Sequence, residues 1–254
     1  MKKPGIIGIV VVTLLVVVGA YALVQNKATV LGIGDAGNKV YGWRYKMTVS
    51  VETPEGLKTG SAVRQMGNDT AGSALPEVGN PADVRGEAVV VDLGQRGVLF
   101  ALISHQSDLE FYNAFPVPGM PIGNGGSSPE GIRYYASLPV GSKGTLNPEY
   151  PPGYPKLVMF KDINDPKSVT EAQIWERNDR GLFDLKQDRM QELFGNGVKL
   201  KDITLEITDE PVTSGIVDKA LPQSFNKVIR ERWMGLPRQE RARLADLVNF
   251  KQGK

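Results

Sequence analysis

The chain has 254 residues, with apolar and charged side chains in ordinary globular proportion, which argues against wholesale disorder and fits one domain with accessories. Thirty Lys and Arg against 28 Asp and Glu leave a formal net charge of +2, so no global basic field points to nucleic acid as a partner. The absence of cysteine excludes disulfides, thiolate nucleophiles and cysteine-ligated metals.

Met1-Lys2-Lys3-Pro4 precedes a run from Gly5 to Val24, GIIGIVVVTLLVVVGAYALV, that contains no charge. Twenty such residues, rising about 1.5 Å each, span about 30 Å, the hydrocarbon thickness of a bilayer. A cleavable signal peptide is the competing reading, because Ala20-Tyr21-Ala22 offers the small-x-small spacing of a cleavage site. The run exceeds the roughly 7 to 15 residues of a signal-peptide core, so an uncleaved signal-anchor over residues 1–26, touching the lipid bilayer through 5–24, is expected. Lys27 and Lys39 follow the span, but the short basic tail of Lys2 and Lys3 is the end more easily kept in the cytoplasm. The expected placement is a single pass through the cytoplasmic (inner) membrane, with the C-terminal domain extracytoplasmic and facing the periplasm.

Residues 27–40 read as a flexible spacer carrying Gly32, Gly34 and Gly37. The folded domain is expected over 41–216. Trp43, Tyr45, Met47, Val49 and Val51 alternate with Arg44, Lys46, Thr48, Ser50 and Glu52, the period of a half-buried strand. Thr53-Pro54-Glu55-Gly56 has the chemistry of a tight turn, so Leu57 to Met66 is predicted to return as the second arm of a hairpin. After a polar loop over 67–85, Glu87 to Leu93 and Val98 to Ile103 form unalternating apolar runs about Gly94-Gln95-Arg96-Gly97. Such runs predict a hairpin covered on both faces, the centre of the core.

Ser107 and Glu110 have the spacing of a capping box, which predicts a short helix over 108–114. From Phe111 to Pro155 the chain holds eight glycines and nine prolines, which reads as a long insertion without regular structure. Seven aromatic residues fall in it. Tyr112, Tyr134, Tyr135, Tyr150 and Tyr154 are the candidate binding residues, since tyrosines on a proline-stiffened backbone present flat amphipathic surface at low entropic cost. The alternative is that these rings pin the loop to its own domain.

Lys156 to Phe160 reads as a core strand, and Asp165-Pro166 as the start of a turn. Leu185, Met190, Leu193 and Phe194 share one helical face, with Asp184 as cap and Gly195 as terminator. Ile203, Leu205 and Ile207 alternate as a strand. Residues 217–254 read as a basic helical tail in two helices, one along Phe225, Val228, Ile229 and Trp233, the other along Leu244, Leu247 and Val248. Nine basic against four acidic residues give the tail +5, so the preceding 216 residues carry −3. That tail could contact an envelope protein or anionic lipid, or simply present a solvated face.

Motifs with chemical meaning lack the context they need. Gly32-Ile33-Gly34-Asp35-Ala36-Gly37 matches the dinucleotide fingerprint, but an apolar span precedes it and a strand follows, so no helix N-terminus is offered to a pyrophosphate. Ser224-Phe225-Asn226-Lys227 and Lys58-Thr59-Gly60 match acyl-serine motifs in the reverse of their usual order. His105 is the only histidine, which excludes a multi-histidine metal site, and Ser104 beside it would point to the opposite face of a strand. Asp92, inside an apolar run, is expected to accept amide hydrogens from the Gly94 to Gly97 turn, with a perturbed catalytic acid as the alternative. Asp202, Glu206, Asp209 and Glu210 lack calcium-loop spacing and read as a solvated face. No cofactor, metal or catalytic set is therefore assigned.

Four stretches, YKMTVSVETPEGLKTGSAV, RGEAVVVDLGQRGVLFALI, YPPGYPKLVMF with the following DPKSV, and FGNGVKLKDITLEIT, resemble a group of uncharacterised bacterial membrane-anchored envelope proteins with a short N-terminal span. The resemblance covers roughly residues 41–217. It implies envelope placement and carries no activity, cofactor or catalytic residue. Together these readings predict an α+β fold, mainly antiparallel β-hairpins with a few short helices, preceded by one transmembrane helix. The expected role is a structural or protein-interaction module of the envelope, with an envelope hydrolase or a cell-wall glycan-binding module as alternatives.

Overall fold

A computed structural model describes residues 29–33, 39–70, 82–103, 107–122, 125–150, 153–222, 236–239, 241 and 248–252. The apolar run 5–24, the Ser104-His105 pair, the Ser224 motif and most of the basic tail, including both of its helical faces up to Leu247, lie outside these residues. Among the described residues no helix is long and apolar enough to cross a membrane.

Strand β1 (Thr29–Ile33) is followed by the long hairpin of β2 (Lys39–Thr53) and β3 (Gly56–Asp69). The alternation read from the sequence is the one that folds: Trp43, Tyr45, Met47, Val49 and Val51 are all buried on one face of β2. Gly56 takes a positive φ of 113° at the turn, and the Thr53 hydroxyl donates to its carbonyl at 2.8 Å. The spacer expectation fails at 29–33, where β1 pairs antiparallel with residues 39–42 of β2. Gly32 sits in that strand opposite Val40.

Strands β4 (Asp83–Glu87), β5 (Val89–Asp92) and β6 (Val98–Ala101) follow. The apolar run from Glu87 to Leu93 is not one strand. Its start, β4, lies beside β3 in a first sheet, whereas β5 pairs with β6 in a second, so the chain changes sheets at Ala88. The hairpin about Gly94 to Gly97 forms in the expected place, with Asp92 Oδ1 accepting the Gly94 amide at 2.8 Å. Asp92 itself is exposed, which removes the premise that it is a carboxylate sunk in the core.

Beyond helix α1 (Ser107–Ala114), the described part of the Gly/Pro-rich stretch forms structure of its own. It supplies helix α2 (Pro129–Ser137) and strand β7 (Lys143–Thr145). Ser128 caps α2 by accepting the Gly131 amide at 3.0 Å, with Pro129 at the first helical position. Val117, Ile132, Tyr135 and Leu146 from this stretch are buried, so the segment read as an insertion is part of the core.

Strands β8 (Leu157–Phe160) and β9 (Val169–Glu171) come next, joined through a turn in which Asp165 accepts the Lys167 amide at 3.1 Å. A two-stranded ribbon, β10 (Gln173–Arg177) with β11 (Phe183–Asp188), replaces half of the expected helix. Only α3 (Met190–Phe194) is helical there; Leu185 lies in β11 and is 40% exposed. Arg189 holds the N-cap position without a capping bond from its side chain, and Asp188 just before it, rather than Asp184, accepts the Met190 amide at 2.9 Å. Gly195 ends the helix with φ 97°, as expected. Strand β12 (Lys199–Ile207), short helix α4 (Ile216–Ala220) and strand β13 (Lys251–Gln252) complete the described chain.

Among the described strands all pairings are antiparallel. One sheet runs β13-β4-β3-β2-β12-β7, with β1 also on β2, and the other runs β5-β6-β8-β9. A first core joins the inner faces of both sheets, through Met47, Val49, Val51, Ile203 and Leu205 on one side and Val89, Val91, Leu99 and Ala101 on the other, with α1 and α2 filling one end. A second, smaller core lies on the opposite face of the four-stranded sheet. There Phe100, Val158, Phe160 and Val169 are covered by Val217, Leu221, Leu236 and Phe250. That double cover is why β5, β6 and β8 read as continuous apolar runs. The described part of the segment read as a basic tail is thus the lid of a core.

Candidate functional site

Beneath α1, strand β3 sends an arginine inward. Ala62, Arg64, Met66 and Asn68 share the buried face of β3, and Arg64 is completely buried. Its Nε donates to the Glu87 carbonyl, and its Nη2 to the carbonyls of Ala101 and Leu102, each at 3.3 Å. The guanidinium thereby ties the sheet change at Ala88 to the end of β6. Its remaining nitrogen, Nη1, stands 3.5 Å from Glu110 Oε2 on α1. Ser107 is the first helical residue, and Glu110, which hydrogen-bonds with Ser107, is buried beside Arg64.

Three polar atoms converge there without a hydrogen bond of their own, namely Arg64 Nη1, Glu110 Oε2 and the Tyr45 hydroxyl from β2. Burial pushes the Glu110 carboxyl up to about 7, against the pull of the Arg64 guanidinium and a hydrogen bond with Ser107, while the charge of Asp108 adds to the rise. Burial likewise raises the Tyr45 phenol well above its ordinary value, with Arg64 opposing. Such a cluster can hold or release a proton.

Around the ionic group lies a tight aromatic assembly. Phe111 packs on Trp43, Tyr45, Phe115 and Tyr135, and Tyr112 stacks on Tyr135 with ring centroids 5.0 Å apart. Tyr112 is 2% and Tyr135 1% exposed, so these two candidate binding residues pin the Gly/Pro-rich stretch to the core. The Tyr112 hydroxyl accepts from Asn68 Nδ2 at 2.9 Å. Tyr134, Tyr150 and Tyr154 are half-buried. Tyr154 meets Trp175 of β10 edge to face, 5.7 Å between centroids. The five tyrosines do not form one continuous surface.

Two further side chains organise the stretch. Asn113 donates to the carbonyls of Asn147 at 3.0 Å and Tyr150 at 3.2 Å, and accepts the Asn147 amide at 3.0 Å. Glu87, buried at the end of β4, accepts the amides of Gly215 at 2.8 Å and Val217 at 3.1 Å, satisfying the start of α4, and Lys251 reaches it at 3.3 Å.

Of the acidic residues read as a solvated face, Glu206 pairs with Lys143 at 3.3 Å and Glu210 pairs with Lys46. Among the described residues no group of three or more His, Asp or Glu could hold a metal ion. The functional group that sequence reading missed is Arg64 with Glu110. The available signal was phase: Arg64 falls in register with Ala62 and Met66, where an apolar residue belongs. No protein-family model, curated protein or solved structure matches this chain.

Proposed function

We propose that this protein is a single-pass anchored component of a bacterial envelope, with its double-sheet domain outside the cytoplasm, and that it acts as a structural or protein-interaction module. The observation that carries the placement is the uncharged run from Gly5 to Val24 behind Lys2 and Lys3, which is long enough to span a bilayer. The resemblance of residues 41–217 to envelope proteins with a short N-terminal span supports the same reading. Its role as a module, rather than a catalyst, is supported by how the polar core is used. Arg64, Glu87, Asn68 and Asn113 spend their bonds on backbone carbonyls and amides or on a neighbouring ring hydroxyl, which fastens elements together. The basic residues after 217 suit a contact with an acidic envelope protein or anionic lipid.

The placement is tested by fusing a reporter that is active only outside the cytoplasm after Lys254, and by extracting membranes with alkaline carbonate. The expected result is an active reporter and a protein released only by detergent. A silent reporter, or full-length protein in the supernatant without detergent, overturns the reading. The interaction role is tested by crosslinking in native membranes, where a discrete partner adduct is expected.

A further inference from the structure

The ionic group beneath α1 is incompletely compensated when Glu110 is charged. A carboxylate in a dry core needs hydrogen-bond donors around both oxygens, and a charge-assisted bond to a guanidinium is normally about 2.7–2.9 Å long. Arg64 has spent Nε and Nη2 on three carbonyls, and the remaining contact of Nη1 with Glu110 Oε2 is 3.5 Å. Oε2 carries no hydrogen bond, and the Tyr45 hydroxyl beside the group lacks one too. A neutral carboxylic acid fits this place, because Arg64 keeps its three carbonyl acceptors in either state, Oε2 then no longer needs donors around it, and the acid proton can be offered to the Tyr45 hydroxyl.

We propose that Glu110 carries a proton while α1 is packed on the sheet, and that loss of this proton to solvent, leaving a carboxylate in the core, loosens α1: a proton-sensitive latch. The groups that face it are Tyr45 from β2, Arg64 from β3, and Ser107 and Asp108 from α1 itself. From β4, Glu87 contributes its backbone carbonyl to Arg64, while its carboxylate is turned to Gly215, Val217 and Lys251. The latch holds more than one helix turn, since α1 also carries Asn113, which fastens residues 147–150.

The sign follows from linkage. A carboxyl whose folded value is raised from 4.5 to about 7 stabilises the packed state fully below 4.5, and that contribution is lost as the pH rises through about 7. Glu55, held down to about 2 by Arg96, acts below this window and in the opposite direction.

The test follows thermal unfolding and amide exchange of the full chain in mild detergent from about pH 5 to about pH 8. The wild type is expected to lose thermal stability up to about pH 7 and then level off. Protection of the α1 amides, corrected for intrinsic exchange, should fall by at most roughly tenfold per pH unit and by more than that of β2. Glu110→Gln, which imitates the neutral acid, should flatten both dependences, whereas His105→Asn should leave them in place. A wild type whose stability is flat over this range overturns the latch, as does a slope that survives Glu110→Gln or disappears in His105→Asn. Should Glu110→Gln fail to fold, infrared spectra of the wild type decide: a carbonyl band of a neutral buried carboxylic acid, present at about pH 5 and lost above about pH 7, is expected, and its absence overturns the proposal.

Discussion

At Gly60 the backbones of the two sheets approach closely. A Cβ built there would lie 2.0 Å from the Val90 carbonyl oxygen, and what it meets is backbone, which has little room to yield. Gly60→Ala is therefore expected to cost about 1–3 kcal/mol as an overpacked contact, read as a lower midpoint in urea unfolding with an unchanged m-value. No local rule announces such a glycine. Lys58-Thr59-Gly60 invited comparison with a catalytic motif, yet the reason for glycine is a strand of the other sheet, distant in sequence. Asp92 is the opposite case, since its bond to the Gly94 amide spans two residues and could be read directly from the turn chemistry. Arg64 stands between the two. Its phase with Ala62 and Met66 was visible, but the carbonyls it ties, at Glu87, Ala101 and Leu102, come from long-range chain placement.

Among the elements, the long hairpin and β12 were legible because burial on one face imposes a period of two that survives in the residues themselves. Helix α2 was hidden by composition. Glycine and proline density argued for an irregular loop, although Ser128-Pro129-Glu130 is a helix start by capping, proline position and charge. The reading of Leu185 as helical failed for a related reason, because a spacing that suits a helix also fits the end of a ribbon followed by a single helical turn. What keeps the Gly/Pro-rich stretch ordered is side-chain bonding rather than propensity. Asn113→Ala removes both bonds to the carbonyls of Asn147 and Tyr150 and the one to the Asn147 amide, in a partly buried setting. The expected loss is about 1–3 kcal/mol of stability. Amide exchange at Asn147 should quicken relative to that of β12, and an unchanged Asn147 amide would show that the stretch is held by other contacts.

At the scale of the whole molecule, the two larger sheets carry two apolar cores, one between them and one on the outer face of the four-stranded sheet, and part of the outer cover comes from the end of the described chain. Phe250 stacks on Phe160 and meets Phe100 edge to face, and the neighbouring strand β13 pairs with β4 at the margin of the larger sheet. Phe250→Ala is expected to destabilise the protein by about 3–5 kcal/mol, the usual penalty for emptying a buried aromatic site, and to increase binding of a hydrophobic dye. A thermal midpoint unchanged by this substitution would show that the second core closes without it. The sequence divided the chain at 217 because the balance of charge changes there, but charge reports the solvent side of a segment and is silent about the side that packs.

Placing that aromatic cap so late in the chain also fixes an order of events. Translation reaches Phe250 only after Phe100 and Phe160 have both been made, so the nascent polypeptide carries their greasy surface incompletely covered until then. A premature stop anywhere between Leu221 and Phe250 would keep every strand of the four-stranded sheet in the chain but leave its outer side only partly covered. Such a fragment is a natural target for proteases and chaperones, and the cell needs no dedicated signal to tell it from the finished protein.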